Sequence, residues 1–162
     1  GRVNFPYIPG YLTFREAPVL LKAFEKIKSK PDIIIFDGQG IAHPRHLGIA
    51  AHLGLILNIP SIGCAKSRLI GNHEKVPEKR GSYVPLIFND NVIEAVVRTQ
   101  TNIKPIYVSP GYKITLDDSI KIVLKTSLKY RLPEPTRKAH LMVNDLRRNF
   151  QVFSINNPNN AP

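Results

Sequence analysis

Two short apolar runs, separated by a stretch too long for a hairpin, constrain this chain most. Residues 33–36 read IIIF and residues 61–65 read SIGCA, each flanked by turn formers. A short, continuous apolar run predicts a strand covered on both faces. Between the two runs, residues 45–57 are mostly apolar and longer than a usual strand, which predicts a buried helix despite Gly48 and Gly54. Strand, helix and strand in that order form a βαβ unit, so the two strands should be parallel and the fold class α/β. Ligands in such sheets bind at the carboxyl ends of the strands, where Asp37 and Lys66 both fall.

The rest of the chain predicts one domain over residues 1–150, in keeping with 162 residues of which 43% are hydrophobic. Pro6, Pro9 and Gly10 fall too close together for a regular element. Leu20, Leu21, Phe24 and Ile27 recur with helical spacing over residues 17–28, and Pro18 suits a first helical position. Residues 83–88 and 92–99 flank Asn89-Asp90-Asn91, a hairpin signal, and residues 106–108 form a further short run. Thr115 precedes Asp118 at capping-box spacing, with Ile120, Val123, Leu124 and Leu128 following helically. A last helix is expected after RLPEP with Ala139, Val143 and Leu146 on one face, and residues 151–162 are expected to form a disordered polar tail.

A net charge of +11 favours polyanionic partners. No apolar run approaches the ~20 residues of a spanning helix, so nucleic acid is preferred over a membrane. The single cysteine, Cys64, excludes an intrachain disulfide and suggests a reducing, cytoplasmic setting. Its apolar surroundings predict a buried thiol rather than a nucleophile. The chain opens on Gly1-Arg2-Val3 without an initiator methionine, as a fragment would, and resembles neither a signal peptide nor a transit peptide.

The candidate chemical residues each carry two readings. Asp37 ends an apolar run before Gly38, which is equally an ordinary Asp-Gly turn. Glu16 can close a capping box with Thr13, or stand free if the helix begins near residue 17. His140 lies on the polar stripe Thr136, His140, Asn144, Arg147, where a solvated role is the default. Lys66 can simply solvate a loop, His43 and His46 can flank a helix, and Tyr7 between prolines can be a packed loop aromatic. Taken together, two carboxylates and a histidine suit a hard divalent ion, and a lysine suits a phosphate. Metal-assisted phosphodiester hydrolysis uses that set.

The blocks FPYIPGYLTFREAP, IIIFDGQGIAHPRHLGIA, IGCAKSRL, VSPGY and YRLPEPTRKAH resemble, in order, the signature blocks of the endonuclease V family. The resemblance implies an RNase H-like fold with a central mixed sheet flanked by helices. It also implies a Mg²⁺-dependent nuclease, with Mn²⁺ as substitute, that finds deoxyinosine, the product of adenine deamination, as a step in DNA repair. Such an enzyme cuts the second phosphodiester bond on the 3′ side of the lesion; some relatives prefer inosine in RNA. Carried onto this sequence, Asp37, Glu16 and His140 match metal-binding active-site positions and Lys66 the lysine near the scissile phosphate. Tyr7 matches the wedge that fills the gap left by a rotated-out base. Gly10, Leu12, Gly38, Gly48, Ile49 and Leu69 match the hypoxanthine pocket, and His43 a supporting polar position. A monomer is expected.

The match departs from the family in three places. Gln39 and Tyr112 stand where relatives commonly have histidine. The family's first metal-binding aspartate lies on an early strand, and the chain is expected to begin after the first three strands, which would leave residues 33–36 as an exposed sheet edge. A shortened homologue that binds inosine-containing nucleic acid without cutting it is therefore the alternative. A phosphatase of the haloacid dehalogenase type is disfavoured, because its motif needs a carboxylate where Gln39 stands.

Overall fold

The computed structural model describes residues 6, 8 and 11–156. Five strands form one mixed sheet in the order β1-β2-β5-β4-β3: β1 Ile34–Phe36, β2 Ser61–Ala65, β3 Tyr83–Phe88, β4 Asn91–Val97 and β5 Ile106–Tyr112. β1 and β2 are parallel, as the βαβ reading requires, and every other pairing is antiparallel. Helices α1 Leu12–Phe24, α2 Ile49–Leu57, α3 Leu116–Thr126 and α4 Glu134–Asn156 complete the element order.

One sheet face carries Ile62, Cys64, Ala95, Val97, Ile106 and Val108 against Ile120 and Val123 of α3. A second cluster of Ala42, Leu86 and Val96 lies with Tyr107, and α1 packs through Ala17 onto Ile49 and Leu53 of α2. The hairpin closes on Asn89 and Asp90, both at positive φ, which suits the twist of a two-residue turn. Thr115 caps α3 as expected, its hydroxyl accepting from the Asp118 N–H.

Four expectations are corrected. Helix α1 starts at Leu12 rather than near residue 17, so Pro18 lies inside it. Phe14, whose carbonyl the missing Pro18 N–H would have served, and Pro18 are both exposed, which places the defect on the solvent side. Helix α2 starts at Ile49, because His46 adopts a left-handed conformation with φ 51° that ends any helical run before it. β1 is half-buried at one edge of the sheet and not covered on both faces. On α4 the expected buried face is exposed at Ala139, Val143 and Leu146; the helix packs instead through Thr136 near its start, and no described element covers its later turns. α4 runs through Asn156.

Candidate active site

The site is built where β1 and β2 end side by side. The register sets Phe36 beside Gly63, so Asp37 and Lys66 leave the same edge of the sheet, and Lys66 Nζ donates to Asp37 Oδ2 at 2.6 Å. Both side chains are well over a third exposed, so the pair contributes at most ~1 kcal/mol and opens easily. The Lys66 loop is held from behind by Arg131, which donates to the carbonyls of Lys66 and Pro105, each at 2.9 Å.

After Asp37 the chain doubles back across the sheet. The Gly38 N–H donates to the Phe36 carbonyl at 3.0 Å, the Gly40 N–H to Ser109 Oγ at 2.8 Å and the Ile41 N–H to the Pro110 carbonyl at 2.8 Å. Pro110 is tolerated within the sheet because a register shift falls at its pairing with β2. Gly63 is the seat of this crossing: a Cβ there would lie 2.2 Å from the Gly40 nitrogen. The loop carbonyls of Gly40 and Gln39 accept from Gly48 and Ala50, which uses the free N–H groups at the start of α2. Gln39 ties the two strand-end loops together through its Nε2, which donates to the Ser67 carbonyl at 3.2 Å, while its buried Oε1 has no partner.

Asp37 borders two clefts. One, of about 420 Å³, is lined by Asp37 and Lys66 together with Gly38, His43, Gly48, Ile49 and Leu69, so the expected base-pocket positions that are described converge. His43 is buried, its Nδ1 accepting from the Arg45 N–H at 3.2 Å. The other, of about 480 Å³, brings Glu16, Asp37 and His140 together from α1, β1 and α4. Glu16 is a mid-helix residue that faces this cleft, and no side chain caps α1, so the capping alternative fails. Burial first, and then the charge of Asp37, push the Glu16 carboxyl above its ordinary value against the opposing charge of Arg15. Burial pushes the Cys64 thiol up to about 12, which makes it inert as a nucleophile. Among the described residues no three His, Cys, Asp or Glu side chains form a group able to hold a metal. Tyr7 and Gly10 lie outside the described residues, and Leu12 is placed only as the first residue of α1.

Sequence reasoning passed over several groups here. Arg131 and Ser109 sit in quoted blocks but look like solvated loop residues until the sheet closes over them. Arg45 donates to the Tyr11 hydroxyl at 2.7 Å and lies 4.3 Å from its ring centroid, pinning the entry to α1 against the loop after β1. Nothing in the spacing of those two residues announces the contact.

The mixed sheet, its flanking helices and the strand-end carboxylate define an α/β protein of the RNase H-like class. Residues 1–141 match the family model described as Endonuclease V. The chain belongs to the endonuclease V family. It is 59% identical over 141 residues to endonuclease V of Dictyoglomus thermophilum, covering 87% of this chain and 62% of that relative. It therefore spans less than two thirds of that protein's length. Among solved structures, endonuclease V of Streptomyces avermitilis superposes with a TM-score of 0.88 at 38% identity, over 93% of this chain and 66% of the other. Endonuclease V of Ciona intestinalis, solved with a 24mer DNA containing an inosine followed by a ribo-adenosine, matches with a TM-score of 0.80 at 29% identity, over 93% and 71%.

Proposed function

We propose that this chain forms the lesion-reading and strand-cutting part of a Mg²⁺-dependent endonuclease. Its substrate is deoxyinosine in DNA, and the bond hydrolysed is the second phosphodiester on the 3′ side. The observation that carries this reading is the convergence of Asp37, Glu16 and Lys66 at the carboxyl edge of β1 and β2, beside a cleft of base size. The crystallised Ciona relative, bound to inosine-containing DNA, supports the substrate class.

The donor set fits Mg²⁺, which takes one or two carboxylates, keeps waters and uses substrate phosphates. Glu16 and Asp37 share one cleft, where burial first and then the charge of Asp37 raise the Glu16 carboxyl, and a cation held there would relieve the repulsion. Those two residues would hold the ion, with His140 on the same wall. When bound, it supplies acidified water and neutralises charge on the leaving oxygen. The chain's own groups do the rest. Lys66 leaves Asp37 and places its ammonium on the phosphate; the exposure of the pair makes that exchange inexpensive. Gly38, Gly48, Ile49 and Leu69 enclose the extruded base, and His43, fixed by Arg45, supports that wall. Extrusion costs a few kcal/mol, least for a poorly paired base, and Tyr7 would fill the gap it leaves.

The second reading, selective binding without cleavage, is favoured by the lack of a three-ligand group among the described residues. One experiment separates them: incubate purified protein with inosine-containing duplex DNA, and in parallel with inosine-containing RNA, with and without Mg²⁺. Mg²⁺-dependent nicks one nucleotide beyond the inosine are expected, and Asp37→Asn should abolish them while leaving inosine-selective binding. Selective binding with no nick at any Mg²⁺ concentration would establish the second reading, and nicking by Asp37→Asn at the wild-type rate would remove the metal assignment.

A further inference from the structure

Behind the site loop lies a carboxyl group that neither the fold nor the proposed chemistry uses. Glu94 on β4 is 1% exposed, and neither of its oxygens reaches a partner at full hydrogen-bond geometry, although the Ser109 side chain lies near enough to oppose the upward push of burial on its carboxyl. An apolar residue of similar size at that place would avoid the cost of an unsatisfied buried carboxyl. Core stability therefore gives no reason for a glutamate there.

Its position in the sheet supplies one. Extended one residue beyond its last pair, Ala95 with Val108, the antiparallel register sets Glu94 opposite Ser109, and Ser109 pairs in turn with Gly63 of β2. These three residues form one row on the face crossed by the Gly38–Ala42 loop, which passes directly over Gly63. Ser109 is fully buried, and its Oγ accepts from the Gly40 N–H at 2.8 Å. A hydroxyl that accepts there still has its own proton and a second lone pair to place. The Glu94 carboxyl lies beside it in the row: burial raises that carboxyl and Ser109 opposes the rise.

We propose that Glu94 is a positioning residue: through the Ser109 hydroxyl it fixes the Gly40 amide, and thereby the loop that carries Asp37 and Gly38 into the cleft. The proposal deepens the nuclease reading and rests on it for its kinetic part only. As a carboxylic acid, Glu94 offers Ser109 one acceptor and one donor, and glutamine offers the same pair. Leucine offers neither. Distortion of a loop that carries a metal-binding carboxylate acts on the transition state more than on substrate binding, so kcat should respond and KM should not.

The test uses purified protein in two arms. In amide hydrogen exchange, the Gly40 amide should exchange about tenfold or more faster in Glu94→Leu and Ser109→Ala, while Val96 in the middle of β4 keeps its protection and Glu94→Gln matches wild type. In Mg²⁺-dependent nicking of inosine-containing duplex, kcat should fall about tenfold in both damaged variants with KM little changed. The double variant should be no worse than either single one, because the two groups act in series. Unchanged Gly40 exchange in Glu94→Leu, equal damage in the Gln and Leu variants, or additive kinetic losses would each overturn the proposal. If Leu does not fold, Gln against Ser109→Ala decides, since full protection in Ser109→Ala also overturns it. A wild type that never nicks defeats the nuclease reading, and the exchange arm then decides the loop-fixing role by itself.

Discussion

At the level of single residues, Glu94 makes the pH response of this protein readable. Burial pushes its carboxyl up to about 8, against the opposing influence of Ser109. The unfolded chain releases that proton near the ordinary value of 4.5, whereas the folded chain keeps it until about 8. Between those values the folded state binds more protons, so stability is full below the lower value and falls as pH rises through the upper one. The loss by pH 8 is on the order of 4 kcal/mol for this group. Glu94→Gln should therefore flatten the decline of Tm between pH 5 and pH 8; parallel Tm profiles for the two proteins would show that the carboxyl is not held protonated. Glu94 was not legible in the sequence. In NVIEAVV it occupies what looks like the wet face of a hairpin strand, and only tertiary packing over that face buries it. Asp37, Lys66 and Glu16 were legible because strand-end position and block context survive without knowledge of tertiary packing; the capping alternative for Glu16 fell only when α1 began at Leu12.

At the level of elements, the unit β1, α2 and β2 was readable because each piece is a dense apolar run with turn formers at its ends. The start of α1 was not, since Pro18 marks a helix start by local preference and tertiary packing of Ala17 against α2 overrides that preference. α4 misled for the opposite reason: its apolar residues have helical spacing, but the face they define borders an open cleft and stays exposed. An exacting contact between elements is the crossing of the Gly38–Ala42 loop over β2. Gly63→Ala places a methyl 2.2 Å from the Gly40 nitrogen and 2.6 Å from the Gln39 carbonyl carbon, both backbone atoms that cannot rotate away. The loop must lift, at a cost of ~1 to 3 kcal/mol, and Asp37 must move with it. We expect a lower Tm together with a loss of nicking larger than the stability change explains; a Gly63→Ala protein of wild-type activity would show that the loop seat does not set the geometry of Asp37. Thr115→Ala, at the far end of the sheet, should cost ~1 kcal/mol through loss of the α3 cap and leave cleavage unchanged.

For the molecule as a whole, charge and shape point to the same partner. The net charge of +11 is not consumed by internal pairing: among the described residues four salt bridges link basic to acidic side chains, three of them between neighbours on a single helix. No described helix is long and apolar enough to cross a membrane. The excess positive charge is available to phosphates. Arg68 lines the base-sized cleft beside Lys66, and among the described residues its side chain makes one long hydrogen bond, to Asn72 at 3.3 Å. On the proposed reading, a nucleic acid lying across that cleft should meet Lys66 and Arg68. Each phosphate neutralised on duplex DNA adds ~0.9 to the slope of log affinity against log salt, so two contacts predict a slope of about −1.8 or steeper. Arg68→Ala should make that slope shallower by about 1 while leaving the ratio of affinities for inosine and adenine duplexes unchanged, because a phosphate contact positions the strand without reading the base. Binding titrations from low to physiological salt measure both quantities. A flat salt dependence would remove the electrostatic argument, and a change in the inosine-to-adenine ratio would move Arg68 from the backbone grip into the base pocket.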